Sequence, residues 1–253
     1  KAPKPMTLPF DLTTGQGAFL AAALFVAAYI RGFSGFGFSA IFIILAALVT
    51  NPLPLIPVVF SCEIAMTLFQ ARGIRAHVDW KRTFALLAGS AIAVVPAVAI
   101  MARLGEQEAR IAISALILVL SLILLSGWRL ERPIGRTGNV AVGMAAGIAN
   151  SAGVGGLPVA TFLSAQPVPP AVFRATMIVF LTGIDLMTLP VMASHGLVGS
   201  GTVTGIVLGF PILGLGIWAG SLKFSATSQD QFRKVVVLLL TGFSILNIVR
   251  VIV

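Results

Sequence analysis

The sequence predicts an all-α polytopic membrane protein built from two pseudo-symmetric repeats, each a broken or re-entrant helix followed by three transmembrane helices. Three observations lead there. The 253-residue chain is 58% hydrophobic and only 10% charged, whereas soluble domains carry about 25% charged residues. Its apolar runs exceed one crossing: no charge occurs from Gly138 to Phe173, a stretch that as one helix would measure about 54 Å against a hydrocarbon core of about 30 Å. Finally, two glycine-rich breaks interrupt such runs at matching places, Arg31-Gly32-Phe33-Ser34-Gly35-Phe36-Gly37-Phe38 and Asn150-Ser151-Ala152-Gly153-Val154-Gly155-Gly156-Leu157-Pro158. Lipid cannot pair the backbone groups a break exposes, so broken backbone must face protein or a wet cavity. Interrupted helices in corresponding positions of two halves are the sequence pointer to a transporter's substrate site.

Eight hydrophobic elements follow in order. Residues 1–15 read as a polar N-terminal arm rather than a cleavable leader. The first repeat, 16–128, holds an element at 16–49 broken near 31–37, then helices at 53–71, 83–102 and 109–128. Residues 129–138 form a charged linker, expected to be cytoplasmic. The second repeat, 139–253, holds an element at 139–166 broken near 150–158, then helices at 171–193, 198–221 and 232–252. An offset of 118 carries Gly35 and Gly37 onto Gly153 and Gly155, Pro52 onto Pro170 and Thr67 onto Asp185. Late in each half an acidic–Arg turn precedes an apolar helix, at Glu106–Arg110 and Asp230–Arg233. Pro96 and Pro211 sit mid-helix and predict kinks.

The net charge of +9 collects in loops, at Arg72, Arg75, Lys81 and Arg82 and again at Arg129, Arg132 and Arg136. That pattern sets topology, with both loops cytoplasmic, and calls for a lipid bilayer as partner, not nucleic acid. A single crossing by each broken element makes the repeats parallel and also places Lys1, Lys4 and Arg250 inside; a re-entrant return makes them inverted. Gly143-xxx-Gly147, Gly205-xxx-Gly209 and Gly216-xxx-Gly220 suit tight helix packing within the chain, and a homodimer through one such face is the other use of the motif.

The candidate site lies at the breaks. Gly35, Gly37, Gly153, Gly155 and Gly156 let backbone approach a ligand, and a helix restarting there offers N–H groups to an anion. Ser34, Asn150 and Ser151 add neutral donors. Arg31 abuts the first break and Arg174 opens the helix after the second; a guanidinium matches an oxyanion with two parallel bonds. Glu63 and Asp185 lie inside helices, where charge is costly and should face the bundle interior. They are candidates either to carry a coupling proton or to pair with the arginines. The single cysteine, Cys62, forms no internal disulfide. His77 and His195 are isolated, so no metal or cofactor is expected. Gly32-Phe33-Ser34-Gly35 also fits an intramembrane serine hydrolase with His195 as base, but the repeated glycines already have a reason to be there.

The chain resembles the sulfite exporter TauE/SafE family over nearly its whole length. The resemblance rests on Gly32-Phe33-Ser34-Gly35-Phe36-Gly37, Pro52 and Pro57, Asp79-Trp80 and Arg110 in the first half. In the second half it rests on Gly147, Ser151, Gly153, Gly155-Gly156-Leu157-Pro158, Arg174-Ala175, Gly196, Gly214, Gly220 and Phe232-Arg233. Phe36 and Phe38 replace the more glycine-rich first break of many relatives, and Gly-Leu-Pro at 156–158 replaces their Gly-Pro-Pro. The resemblance implies export of a small sulfur-containing anion, sulfite or an organosulfonate such as sulfoacetate, across the bacterial inner membrane. Without a P-loop, ATP is not the direct energy source, and secondary transport by alternating access is expected. An anion channel is the nearest alternative, followed by the hydrolase and a structural membrane subunit.

Overall fold

The computed structural model describes residues 9–34, 37–70, 74–127, 130 and 134–222, with single positions at 238, 241, 242, 245 and 249. All but those single positions of the last expected helix, the Ser34 side chain and Gly35 lie outside the described residues. What is described is helical: α1 Thr14–Ser34, α2 Phe38–Ala47, α3 Ile56–Gln70, α4 Trp80–Met101, α5 Glu106–Leu125, α6 Arg136–Ser151, α7 Gly156–Ser164, α8 Pro170–Ser194 and α9 Ser200–Leu222. Among the described residues, α1, α4, α5, α8 and α9 are long and apolar enough to cross a bilayer. Their outward faces carry large apolar side chains, including Phe84, Ile92, Val119, Val207 and Trp218. Water would not tolerate so continuous an apolar surface, and lipid does.

Both breaks occur where expected, with α1 running to Ser34 and α6 to Ser151. The helices that follow are short. The 10 residues of α2 and 9 of α7 reach about 15 Å and about 14 Å, half a bilayer or less. They are also sheltered, since nearly every side chain of α2 and Leu157–Leu163 of α7 are buried. Several helices start earlier than expected because charged residues occupy their first turns. α4 begins at Trp80 because the Asp79 side chain accepts from the Arg82 N–H. α5 begins at Glu106, with the Glu108 carboxylate accepting from the Gly105 N–H. The element expected at 53–71 opens as a 3₁₀ turn at Leu53–Leu55 before α3. The expected linker 129–138 ends inside α6, which starts at Arg136.

The packing interleaves the two halves. α4 of the first half packs chiefly on α6 of the second, and α9 of the second packs chiefly on α1 of the first. α3 crosses α8, and α1·α2 contact is matched by α6·α7. Exchanging α1–α4 with α6–α9 turns the α4·α6 contact into α9·α1 and α1·α2 into α6·α7, and returns α3·α8 to itself. Both large pairings use glycine to bring backbones together. A Cβ on Gly89 would meet the Val140 carbonyl and one on Gly143 the Leu86 carbonyl; on α9, Gly220 is set against the Tyr29 carbonyl and Gly216 against Ala28. Gly205 and Gly209 face Val58, Phe10 and Leu24. All three small-xxx-small motifs thus serve contacts inside the chain.

The starts of α4 and α6 lie side by side and share a cavity of about 690 Å³ lined by Asp79, Lys81, Arg82, Arg136 and Asn139. Lys81, Arg82 and Arg136 are consequently on one face of the bundle.

Gly143→Leu should lower stability by about 1–3 kcal/mol through overpacking, read as an earlier thermal midpoint in detergent. Gly214→Ala, with open space at its Cβ position, should not. Equal midpoints for the two variants would show that the α4–α6 contact is not glycine-limited.

Candidate functional site

Two helix ends and two helix interiors meet in one buried polar layer. Arg31 is in the last turn of α1, and its side chain has no accessible surface. Its Nη1 donates to Glu63 Oε1 of α3 at 2.5 Å. Glu63 is itself 1% exposed. On the other side, Asn150 is in the last turn of α6, and its Nδ2 donates to Asp185 Oδ1 at 3.3 Å and to Thr188 Oγ1 at 2.9 Å, both on α8. α3, which carries Glu63, crosses α8, which carries Asp185. The Thr67 and Thr182 hydroxyls join the same two helices at 2.8 Å. Each half thus supplies a polar side chain from the end of its broken helix and a carboxyl from its next long helix.

Four atoms of this layer are buried with no hydrogen-bond partner among the described residues: Arg31 Nε, Arg31 Nη2, Glu63 Oε2 and Asp185 Oδ2. Nε and Nη2 form one edge of the guanidinium, the planar fork that receives two oxygens of one oxyanion. Buried donors of this kind are normally paired. Breaking the Arg31–Glu63 pair from one side would leave a bare charge in the interior, a loss of about 3–5 kcal/mol in comparable buried pairs.

The breaks themselves are built for this layer. α6 ends in a Schellman turn: Val154 N–H donates to Ala149 O and Gly153 N–H to Asn150 O, with Gly153 at φ 77°. Gly37 caps α2 at φ 87°, a left-handed conformation that glycine adopts at least cost. Gly155 precedes α7, and a Cβ there would strike Asn150 Oδ1. Glycine at 155 is therefore what lets the Asn150 amide reach Asp185. Gly156 meets Leu181 and Met177 of α8 instead.

The layer unites Arg31, Glu63, Asn150, Gly155 and Asp185. The remaining expected residues are placed differently. Arg174 is half-exposed at the start of α8, within electrostatic reach of Arg31. Ser151 is buried and its hydroxyl donates back to Ile148 O at 2.7 Å. Ser34's side chain and Gly35 are outside the described residues. His195 lies exposed at the end of α8, its Nδ1 near Val191 O and Ser194 Oγ. Thr67, Thr182 and Thr188 were not anticipated. The signal was present as a polar stripe at Thr182, Asp185 and Thr188 along an otherwise apolar helix.

A bundle of long apolar helices with two sheltered half-length helices and a buried charge layer defines a multi-pass membrane transporter. The family described as sulfite exporter TauE/SafE matches residues 20–247, and the chain belongs to that family. No curated protein and no solved structure matches it.

Gly155→Ala should destabilise the protein by about 1–3 kcal/mol by displacing the amide, and should cost much less in an Asn150→Ala background. A thermal-unfolding double-mutant cycle measures this; equal costs in both backgrounds would remove Asn150 as the reason for Gly155.

Proposed function

We propose that the protein is a secondary transporter that exports a small sulfur-containing anion, sulfite or an organosulfonate such as sulfoacetate, across the bacterial inner membrane by alternating access. The observation that carries this reading is the free Nε–Nη2 edge of Arg31 beside the first break. A sulfur oxyanion offers two oxygens to that fork, and in a water-poor interior such a charge-assisted pair is strong. The helix starts at Gly37 and at Gly155 and Gly156 add N–H groups and a partial positive charge. Asn150 borders the same layer, and Arg174 draws anions toward it. Complete burial of Arg31 favours a carrier, whose site closes during the cycle, over an open channel. The two halves, each a broken helix with its following helices, would rock about the site, with Glu63 and Asp185 as the groups for proton coupling.

The test is flux of radiolabelled sulfite and of sulfoacetate in proteoliposomes. Saturable flux is expected for one or both. Arg31→Lys, which keeps the charge and loses the fork, should reduce it about tenfold or more. Gly155→Val should abolish flux in protein that still inserts. Undiminished flux in Arg31→Lys would eliminate the fork as the binding group, and linear, unsaturable flux would favour a channel.

A further inference from the structure

The cavity of about 690 Å³ at the starts of α4 and α6 is lined by none of the residues of the buried layer. Three of its lining side chains are cationic, Lys81 and Arg82 on α4 and Arg136 on α6, against one acid, Asp79. That acid is already engaged: it accepts from the Arg82 N–H and lies 3.5 Å from Arg82 Nε. Arg82 also donates to Gln166 Oε1 at 3.4 Å, which holds its guanidinium in place. Lys81 and Arg136 are exposed and pair with no acid among the described residues. A charge bias that only sets topology needs no cavity, yet here the charges surround one.

Asn139 lines the same cavity and is 5% exposed. Its Nδ2 donates to Ile134 O at 3.2 Å and to Gly135 O at 3.0 Å. Both amide hydrogens are thus spent, and Oδ1 is left as an acceptor. Oδ1 is buried with no hydrogen-bond partner among the described residues, whereas buried acceptors normally have a donor. An occupant that satisfies the whole cavity therefore carries both a negative charge and a hydroxyl. The surroundings are those of a membrane surface. Trp80 opens α4 with its ring exposed and 5.9 Å from that of Phe84, the position that tryptophan favours at the end of a spanning helix. Phe84 and Ala88 line the cavity, and with Ile92 and Val95 they form one exposed apolar face that runs from it along α4.

We propose that this cavity binds the headgroup of an anionic phospholipid that bears a hydroxyl, of the phosphatidylglycerol class. The phosphodiester meets Lys81 and Arg136, a headgroup hydroxyl donates to Asn139 Oδ1, and an acyl chain lies along Phe84, Ala88, Ile92 and Val95. Basic pockets between membrane helices suit such headgroups, because each cation near the surface adds to the attraction. Lys81 belongs to the first half and Arg136 to the second, so the lipid spans the α4–α6 joint between them.

The experiment is native mass spectrometry of the purified full chain in detergent, titrated with four probes. These are phosphatidylglycerol, zwitterionic phosphatidylcholine, phosphatidylmethanol (the same charge without a hydroxyl) and glycerophosphoglycerol (the headgroup without chains). One phosphatidylglycerol per chain should be retained in preference to phosphatidylcholine. Lys81→Gln/Arg136→Gln should weaken that retention about fivefold for each charge removed. Both side chains are exposed, so the lipid-free variant should keep its thermal midpoint. Phosphatidylmethanol should bind several-fold more weakly than phosphatidylglycerol, and glycerophosphoglycerol more weakly still. Equal retention of phosphatidylglycerol and phosphatidylcholine, or undiminished retention by the variant, would overturn the site. Phosphatidylmethanol binding as tightly as phosphatidylglycerol would overturn the Asn139 contact. Glycerophosphoglycerol binding as tightly would overturn the lipid as occupant and make the cavity a pocket for soluble phosphate esters.

Discussion

The structure depends on one buried ion pair, Arg31 with Glu63. A guanidinium at bilayer depth costs about 2.5–3.5 kcal/mol on insertion scales and much more on an isolated helix. It persists only if a partner meets it inside the bundle, and here the partner is on α3. That requirement fixes the end of α1 against the middle of α3. The contact of α3 with α8 then brings Asp185 to the same level, and Asp185 in turn holds the end of α6 through Asn150. Four helices are thereby tied at one layer by polar atoms, in a fold whose remaining contacts are almost wholly apolar. Well-packed apolar residues often stabilise a core as well as or better than a buried ion pair does. Stability is therefore a weak reason for this layer to exist, and a ligand that needs the free edge of Arg31 is a stronger one.

The glycine contacts explain how the layer can be built without exposing broken backbone. Close approach of α4 to α6 and of α1 to α9 joins the two halves. Such approach depends on small residues, since lipid gives no hydrophobic drive for helices to associate. α2 packs against α1, α3 and α5, and α7 against α5, α6 and α8, so helices too short to cross still find protein around most of their side chains. The Schellman turn at Gly153 pairs the N–H groups of Gly153 and Val154 with the last carbonyls of α6. The break is a terminated helix end with its hydrogen bonds in order, not a frayed segment.

Much of this was legible in the sequence. Long charge-free runs gave the membrane class, and the matched glycines gave both breaks to within a few residues, because glycine and the absence of charge are local signals. Arg31, Glu63 and Asp185 stood out as charges inside apolar helices. Their partners did not. Glu63 meets Arg31 across 32 residues of chain and Asp185 meets Asn150 across 35, and only the packing of α3 on α8 brings the two pairs together. Asn150 and Ser151 read alike as neutral donors beside a break, yet one turns to Asp185 and the other back to its own helix. Their difference is a matter of helix phase at the last turn, which a pattern of residue types does not carry. The observed helices start earlier than their uncharged runs wherever a charged residue lies in the first turn, as at Lys81, Arg82 and Arg136.

The placement of the polar layer at helix ends has a mechanical consequence. Within a continuous helix a side chain is held by the backbone on both sides, and adjusting it means moving the whole rod. At a break, the first turn of the next helix can shift against the last turn of the previous one. Asn150 is in such a last turn, and its amide occupies the volume that a side chain at Gly155 would fill. Any displacement of α7 relative to α6 must pass through that contact and is felt at Asp185. The first half has the same order of parts, with Arg31 in the last turn before Gly37 and Glu63 on the following long helix. Movement at either break is thus converted into a change in the hydrogen bonding of a buried carboxyl. A structure with unbroken helices could bury the same charges but could not link them to motion in this way.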